Sequence, residues 1–249
     1  MFVDNPFIPL ADFLSPLFLQ VYVVLMIVAV VAGTAVDLLH KRSAQFFMQD
    51  RKQARASATR RLSGSDMASI AARTLAHDVA TFGEFCNQKR RASHALMFYG
   101  FVLYLVATVV MVFAYPADPG TPAAWPLLWN LGAVMVLVGG YWFFFFLRVN
   151  VVHDGQPPWR LVRADLFIVS LLASVSFALL FELVALAGNP TATRIFFGLY
   201  LLFTTLLFVS VPWSKFAHMF YKPVMAFERR VQQEDGSSDL PAAARRHQL

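Results

Sequence analysis

Five long apolar runs, separated by charged stretches, dominate this sequence. The runs are Pro16–Leu39, Ala95–Tyr115, Trp125–Leu147, Ala164–Leu186 and Ile195–Trp213. Each has about the twenty mostly apolar residues that a helix needs to cross the hydrocarbon core of a bilayer. Charge, proline or glycine bounds every run. The sequence therefore predicts an all-α fold, a polytopic membrane helix bundle with five transmembrane helices.

The composition excludes a soluble enzyme. Hydrophobic residues make up 58% of the chain and charged residues only 14%, with a mean hydropathy of +0.56, whereas soluble domains carry about 25% charged residues. The single cysteine, Cys86, excludes an internal disulfide, a four-cysteine iron-sulfur cluster and a zinc site built mainly from cysteine. The formal charge of +6 comes from basic residues beside the apolar runs, which indicates topology signals rather than nucleic-acid binding.

The distribution of the 21 lysines and arginines predicts the orientation. Cytoplasmic loops near spans carry the excess of these residues. The stretch His40–Ser93, the loop Arg148–Arg163 and the tail from Lys215 onward hold all of them except Arg194. We therefore expect a periplasmic N-terminus and a cytoplasmic C-terminus.

Changes in composition predict four segments. Residues 1–39 form an N-terminal segment and the first transmembrane helix, and residues 40–92 a basic amphipathic cytoplasmic arm. Such an arm could dock a soluble partner or lie on the membrane surface. Residues 93–230 form a four-helix membrane domain, and residues 231–249 a polar, disordered tail.

Two histidines, distant in the chain, are expected at one depth in the membrane. His94 opens the second span, which enters from the cytoplasm, and His218 follows the fifth span, which returns to it. If these antiparallel helices pack together, both imidazoles reach the cytoplasmic boundary, where they could ligate the iron of a haem b from opposite faces. Interfacial histidines are also common, and that alternative stays open.

Basic residues flank both histidines. Arg90, Arg91 and Lys215 could pair with haem propionates. They could equally form the ordinary basic girdle at a cytoplasmic helix end.

The block from about His77 to Arg229 resembles the membrane cytochrome b domain shared by respiratory nitrate reductase gamma subunits and by the membrane subunits of heterodisulfide reductase and of the quinone-interacting membrane-bound oxidoreductase complex. The matching motifs are Lys-Arg-Arg-Ala-Ser-His at 89–94, Phe-Tyr-Gly-Phe at 98–101, Asn-Leu-Gly-Ala at 130–133 and Pro-Trp-Ser-Lys-Phe-Ala-His at 212–218. With its short chain and no cluster-binding domain, the sequence most resembles the adenylylsulfate reductase membrane anchor.

The resemblance implies a function and a location. It implies a component of a bacterial inner membrane complex that carries electrons between a cytoplasmic iron-sulfur oxidoreductase, here adenylylsulfate reductase, and membrane quinone. The sulfur chemistry would belong to that partner, since this chain has no flavin or nucleotide fingerprint. The alternative is a haem-free anchor that recruits the reductase.

The chain departs from its two-haem relatives at two positions. Where they carry a second pair of histidines, this sequence has Tyr104 and Tyr200. A buried packing or hydrogen-bonding role is expected for both tyrosines. The resemblance then implies one haem, on the cytoplasmic side, held by His94 and His218.

Glu182 is the one acidic residue well inside a predicted span. A carboxylate there is costly, so an intramembrane ionisable group is a functional candidate, here for taking up or releasing the quinol proton. The alternative is a carboxylate that reaches water at the helix end. His40 is a rival haem ligand, and the aromatic run from Tyr141 to Phe146 is interpreted as an interfacial belt.

Overall fold

In the residues that it describes, the structure, a computed structural model, contains eight α-helices and no strand. It describes residues 2–40, 43–83, 87–148, 151, 155–213 and 218–238, without the side chains at 39, 40, 43, 44, 164 and 218–220. The helices are α1 Pro16–His40, α2 Ser43–Ser57, α3 Gly64–Arg73, α4 Gln88–Phe113, α5 Ala124–Trp142, α6 Leu166–Leu186, α7 Pro190–Val209 and α8 His218–Asp235. The π-helical turns Thr74–Ala80 and Phe143–Leu147 extend α3 and α5.

Five of these helices are long and apolar enough to cross a membrane. They are α1, α4, α5 with its π turn, α6 and α7. The predicted all-α bundle with five spans is therefore confirmed, and the chain is a multi-pass membrane protein. Its predicted orientation and its placement in a bacterial inner membrane remain predictions.

The second span begins earlier than its apolar run. α4 starts at Gln88 and not near Ala95, so the basic residues before His94 are helical. The Asn87 side chain accepts hydrogen bonds from the backbone N–H groups of Lys89 and Arg90, at 2.9 and 3.3 Å, which satisfies two donors of the first turn. Arginine and lysine are also good helix formers, so His94 lies in the second turn of α4 instead of at its opening.

The chain divides into two compact units. The membrane unit comprises residues 1–33 and 92–215, and the arm unit comprises residues 34–91 and 216–249. Each predicted segment is continuous in the chain, whereas each compact unit combines two segments that are distant in the chain. The last turns of α1 and all of α8 therefore belong to the arm unit.

Glycines bring α4 and α5 into backbone contact in the membrane unit. A Cβ on Gly132 would lie 2.6 Å from both the Gly100 carbonyl oxygen and the Tyr104 nitrogen. One on Gly139 would lie 2.7 Å from the Ser93 carbonyl oxygen. Helices in lipid associate through such small residues, which allow van der Waals contact over a long interface.

The other spans of the membrane unit are joined by polar contacts. α6 and α7 form a hairpin whose turn contains Gly188 at φ +69, and the hydroxyls of Ser174 and Thr204 are 2.7 Å apart between them. The Tyr22 hydroxyl of α1 donates to the Leu201 carbonyl at 3.0 Å. Hydrogen bonds of this kind hold spans together where there is no water to compete.

The segment before α1 packs into the membrane unit. The buried Asn5 amide donates to the Tyr115 carbonyl at 3.1 Å. The Phe7 ring lies 6.1 Å from Trp129, edge to face, and 6.4 Å from Phe181, stacked. This segment therefore covers one end of the bundle formed by α4, α5 and α6.

In the arm unit, α8 packs against α2, α3 and the π turn. Arg230 donates two hydrogen bonds to the Asp78 carboxylate, at 2.6 and 2.9 Å, and Arg51 pairs with Glu228 at 3.3 Å. Burial alone would raise the pKa of Asp78, but the hydrogen bonds from Arg230 and His77 and the charge of Arg230 together hold it below its usual value. α8 ends at Asp235, within the tail predicted from residue 231.

Candidate functional site

His94 is half-buried on α4, beside a fixed contact with α5. Its neighbour Ser93 is fully buried and donates a hydrogen bond to the Gly139 carbonyl at 2.8 Å. That bond and the close approach at Gly139 fix the rotation of α4 about its axis at this level. Because successive helical residues are about 100° apart, His94 points to the side of the α4–α5 contact.

The second predicted ligand lies in the other unit. His218 is the first residue of α8, in the arm unit, and its side chain lies outside the described part of the chain, as does all of Lys215. The pairing of His94 with His218 therefore stays a prediction. Of the two predicted ligands, His94 has a described side chain. Its half-buried imidazole, next to a buried serine, is a suitable ligand for haem iron.

The two arginines before His94 lie on the first turns of α4 and are half-buried. The Arg91 Nε donates to the Thr81 carbonyl at 2.6 Å within the arm unit. Both the predicted propionate contacts and the alternative basic girdle remain compatible with these positions. The hydrogen bond from Arg91 to Thr81 decides neither interpretation.

Tyr104 and Tyr200 are both buried, as predicted, and the structure brings them together. Their side chains are neighbours between α4 and α7, and Tyr104 Oη has no hydrogen-bond partner among the described residues. Trp129 lies 5.1 Å from Tyr104, and Phe181 stacks 6.0 Å from Tyr200. Aromatic side chains therefore fill this level of the membrane unit, and α4 and α7 meet there.

Glu182 is buried and does not reach the surface of the membrane unit, contrary to the alternative of a carboxylate in water. One oxygen, Oε1, accepts a hydrogen bond from the Asn130 amide at 3.0 Å. The other, Oε2, has no hydrogen-bond partner in the part of the chain that the structure describes. A buried carboxyl oxygen without a donor is costly, so this oxygen is available to a visiting polar group.

An open cleft of about 230 Å³ lies one turn further along α6. Its lining includes Ala185, Asn189, Phe13, Asp12 and Arg194, and the Arg194 guanidinium lies 5.1 Å from the centre of the Phe13 ring. Ala185 follows Glu182 by three residues, which places both on one face of the helix. The cleft thus offers an apolar wall and polar groups near the buried carboxyl.

Sequence reasoning missed two parts of this site. Asn130 was noted only as part of a motif, and its role as the partner of Glu182 depends on the contact between α5 and α6. The segment containing Asn5 and Phe7 has no periodic pattern that would place it inside the bundle. The prolines and apolar residues around Phe7 are the sequence signal that could have indicated burial of this segment.

The remaining candidates are peripheral or outside the described residues. The His77 side chain, in the π turn that extends α3, is about half exposed and contacts Asp78 at 2.9 Å. Phe145 and Phe146 are exposed at the end of the third span, in keeping with the predicted aromatic belt. Cys86, His153 and His247 and the side chain of His40 lie outside the described residues.

Comparison with known proteins gives a distant relative and no family. No protein-family profile matches the chain, and no solved structure matches it. Citrate utilization protein B from Escherichia coli is 27% identical over 169 residues, which is 62% of this chain and 43% of that protein. The chain thus spans less than half the length of that curated relative.

Proposed function

We propose that the chain is a b-type haem electron-transfer subunit that anchors a cytoplasmic iron-sulfur oxidoreductase to the bacterial inner membrane and links it to quinone. The observation that carries the proposal is the aromatic packing that joins α4 to α7, from Tyr104 through Trp129 and Phe181 to Tyr200. These helices carry His94 and lead to His218, so their proximity supports two ligands converging near one membrane face. The motifs around both histidines support the same assignment.

The chain's own residues would hold the haem at the cytoplasmic side. His94 and His218 would supply neutral imidazole nitrogens to the iron, and Arg90, Arg91 and Lys215 would neutralise the propionates. When bound, haem supplies a one-electron carrier. The contact of Ser93 with Gly139 would keep the His94 helix face in a fixed orientation.

Glu182 is proposed to give a proton to quinone as the haem reduces it, or to take one from quinol as the haem oxidises it. The buried carboxyl has one oxygen without a described partner, and the neighbouring cleft has room for a ring and polar groups that could orient it. Asn130 would hold the carboxyl in place. A carboxyl that changes protonation inside a membrane is a common means of moving a proton.

The partner is proposed from two kinds of similarity. The sequence motifs resemble those of the adenylylsulfate reductase anchor, so sulfite oxidation with AMP would deliver electrons to this chain. The similarity to citrate utilization protein B favours a second candidate, a partner oxidoreductase that acts in citrate use. A haem-free anchor remains the alternative to both.

Haem content tests the core of the proposal. Purified full-length protein should show a reduced-minus-oxidised b-type spectrum and one haem per chain by pyridine haemochrome assay. His94→Ala and His218→Ala should each abolish that spectrum, while His77→Ala, at an exposed histidine, should leave it intact. Full haem content after loss of His218 would refute the ligand assignment, and wild-type protein without haem would leave the structural anchor.

Partner identity is tested by reducing the haem in native membranes. Sulfite with AMP should reduce it if the partner is adenylylsulfate reductase. Reduction in membranes from citrate-grown cells alone would instead support the citrate-linked candidate. Reduction by neither electron source would contradict both partners but not the haem.

A further inference from the structure

The arm unit has an ordered surface, distinct from the candidate haem site. α2 and α8 pack side by side, through the Arg51–Glu228 ion pair at 3.3 Å and the Asp50–Gln232 hydrogen bond at 3.3 Å. Beyond the end of α2, the backbone N–H of Thr59 donates to the Asp235 carbonyl at 2.9 Å. A later position in the α2 segment therefore contacts a later position in α8, so the two helices run parallel.

Parallel packing aligns the beginnings of the two helices. Phe46 and Met48 lie in the first turns of α2, and Val224 and Met225 lie at the corresponding level of α8. All four side chains are between 48% and 66% exposed. One end of the arm unit therefore carries a group of large exposed apolar side chains, which we name the apolar rim.

The chain connections limit how far the apolar rim can lie from the bilayer. The arm unit includes the last turns of α1, and the span within α1 ends at Leu38, only eight positions before Phe46. α8 likewise begins nine positions after the fifth span ends at Val209. Both helices thus begin a short way along the chain after a span, so these connections keep the apolar rim within reach of the bilayer surface.

Cations follow the apolar rim along both helices. Lys52 and Arg55 on α2, and Arg229 on α8, are exposed one to two turns further from the spans. Apolar side chains at the acyl boundary with lysines and arginines beside the headgroups are the pattern of a surface that binds an anionic bilayer.

We infer that the apolar rim inserts into the headgroup layer of the bilayer and that Lys52, Arg55 and Arg229 bind anionic lipid headgroups. This inference does not depend on haem or on the partner. It assigns the membrane-surface role to the start of α2, and it leaves the exposed side of α3 and the π turn to other contacts.

Spin-label accessibility in the full-length protein tests the inference. In a Cys86→Ser background, nitroxides are attached to Phe46→Cys, Met225→Cys and, as an aqueous control, Ala56→Cys at the far end of α2. The protein is placed in nanodiscs of phosphatidylcholine alone or mixed with phosphatidylglycerol. Labels at 46 and 225 should collide preferentially with oxygen over a polar nickel reagent, and the label at 56 should show the reverse.

The charge requirement is tested with a matched pair of variants. Lys52→Gln with Arg55→Gln should weaken the insertion of the label at 46 that phosphatidylglycerol promotes. Arg60→Gln with Arg61→Gln, which removes the same charge beyond the end of α2, should leave it unchanged. If a labelled variant fails to fold, Met48→Cys and Val224→Cys report on the same rim.

Two outcomes would overturn the inference. Labels at 46 and 225 that are as accessible to the polar reagent as the label at 56 would place the rim in water. Labels shielded from both reagents would show that protein covers the rim instead of lipid.

Discussion

Replacing Gly132 by alanine should separate α4 from α5. The new Cβ would lie 2.6 Å from the Gly100 oxygen and the Tyr104 nitrogen, both backbone atoms. To reach the ordinary contact distance of 3.4 Å, the helices must move apart by 3.4 − 2.6, or about 0.8 Å. No side-chain rotation can relieve this overlap, because neither atom belongs to a side chain.

The expected cost follows from the rigidity of that contact. Overpacking a close interface costs about 1–3 kcal/mol, which corresponds to roughly a 5- to 150-fold change in the unfolding equilibrium. The measurement is unfolding of the purified protein in mixed micelles by increasing sodium dodecyl sulfate, followed by circular dichroism and tryptophan fluorescence. Trp129 reports directly, because it lies at this interface and is fully buried.

Gly198→Ala is the matched control. Nothing lies within 4 Å of a Cβ built on Gly198, so the same substitution should change stability by less than about 0.5 kcal/mol. If Gly132→Ala unfolds at the same detergent concentration as Gly198→Ala and the wild type, the backbone contact between α4 and α5 does not exist as described.

Three further predictions each concern one local feature of the structure. Glu182→Gln should slow quinone turnover without changing haem content, and Asn130→Ala should also slow it. If a quinone-reduction assay shows unchanged turnover for both variants, Glu182 has only a structural role. Because the pKa of Asp78 is held below its usual value in the folded protein, its pairing with Arg230 stabilises the arm unit above about pH 4 and is lost as the pH falls through the lowered pKa. Asp78→Asn should remove that acid-side dependence in thermal unfolding followed by circular dichroism, and an unaltered pH profile would contradict it. Ala117 has φ +53, so Ala117→Gly should raise stability by about 1 kcal/mol in the same unfolding assay, and a loss of stability would argue against a left-handed residue there.

The sequence predicted the parts of this fold that depend on lipid as the solvent. Five runs of sufficient length could be read directly because each span must satisfy its backbone hydrogen bonds within itself. The predicted ends of the spans were less accurate. The amphipathic start of α4 is helical because Asn87 caps it, a local effect that hydropathy does not register.

Contacts between helices could not be predicted in the same way. Gly100 and Gly132 each belong to a matching motif, but only the packed helices show that each faces the other. Glu182 was singled out for its cost in a membrane, but its partner Asn130 is 52 positions away. The convergence of His94 and His218 remains a prediction from motif and topology, because the second imidazole lies outside the described side chains.

The seating of Phe7 has a consequence for how the protein is made. Its ring stacks on Phe181, which the ribosome adds 174 residues later. The segment before α1 therefore cannot complete its docking until the fourth span has been inserted, late in translation. Closure of this end is thus a late event in biogenesis, and mutations at Asn5 or Phe7 should act on assembly yield after insertion is complete.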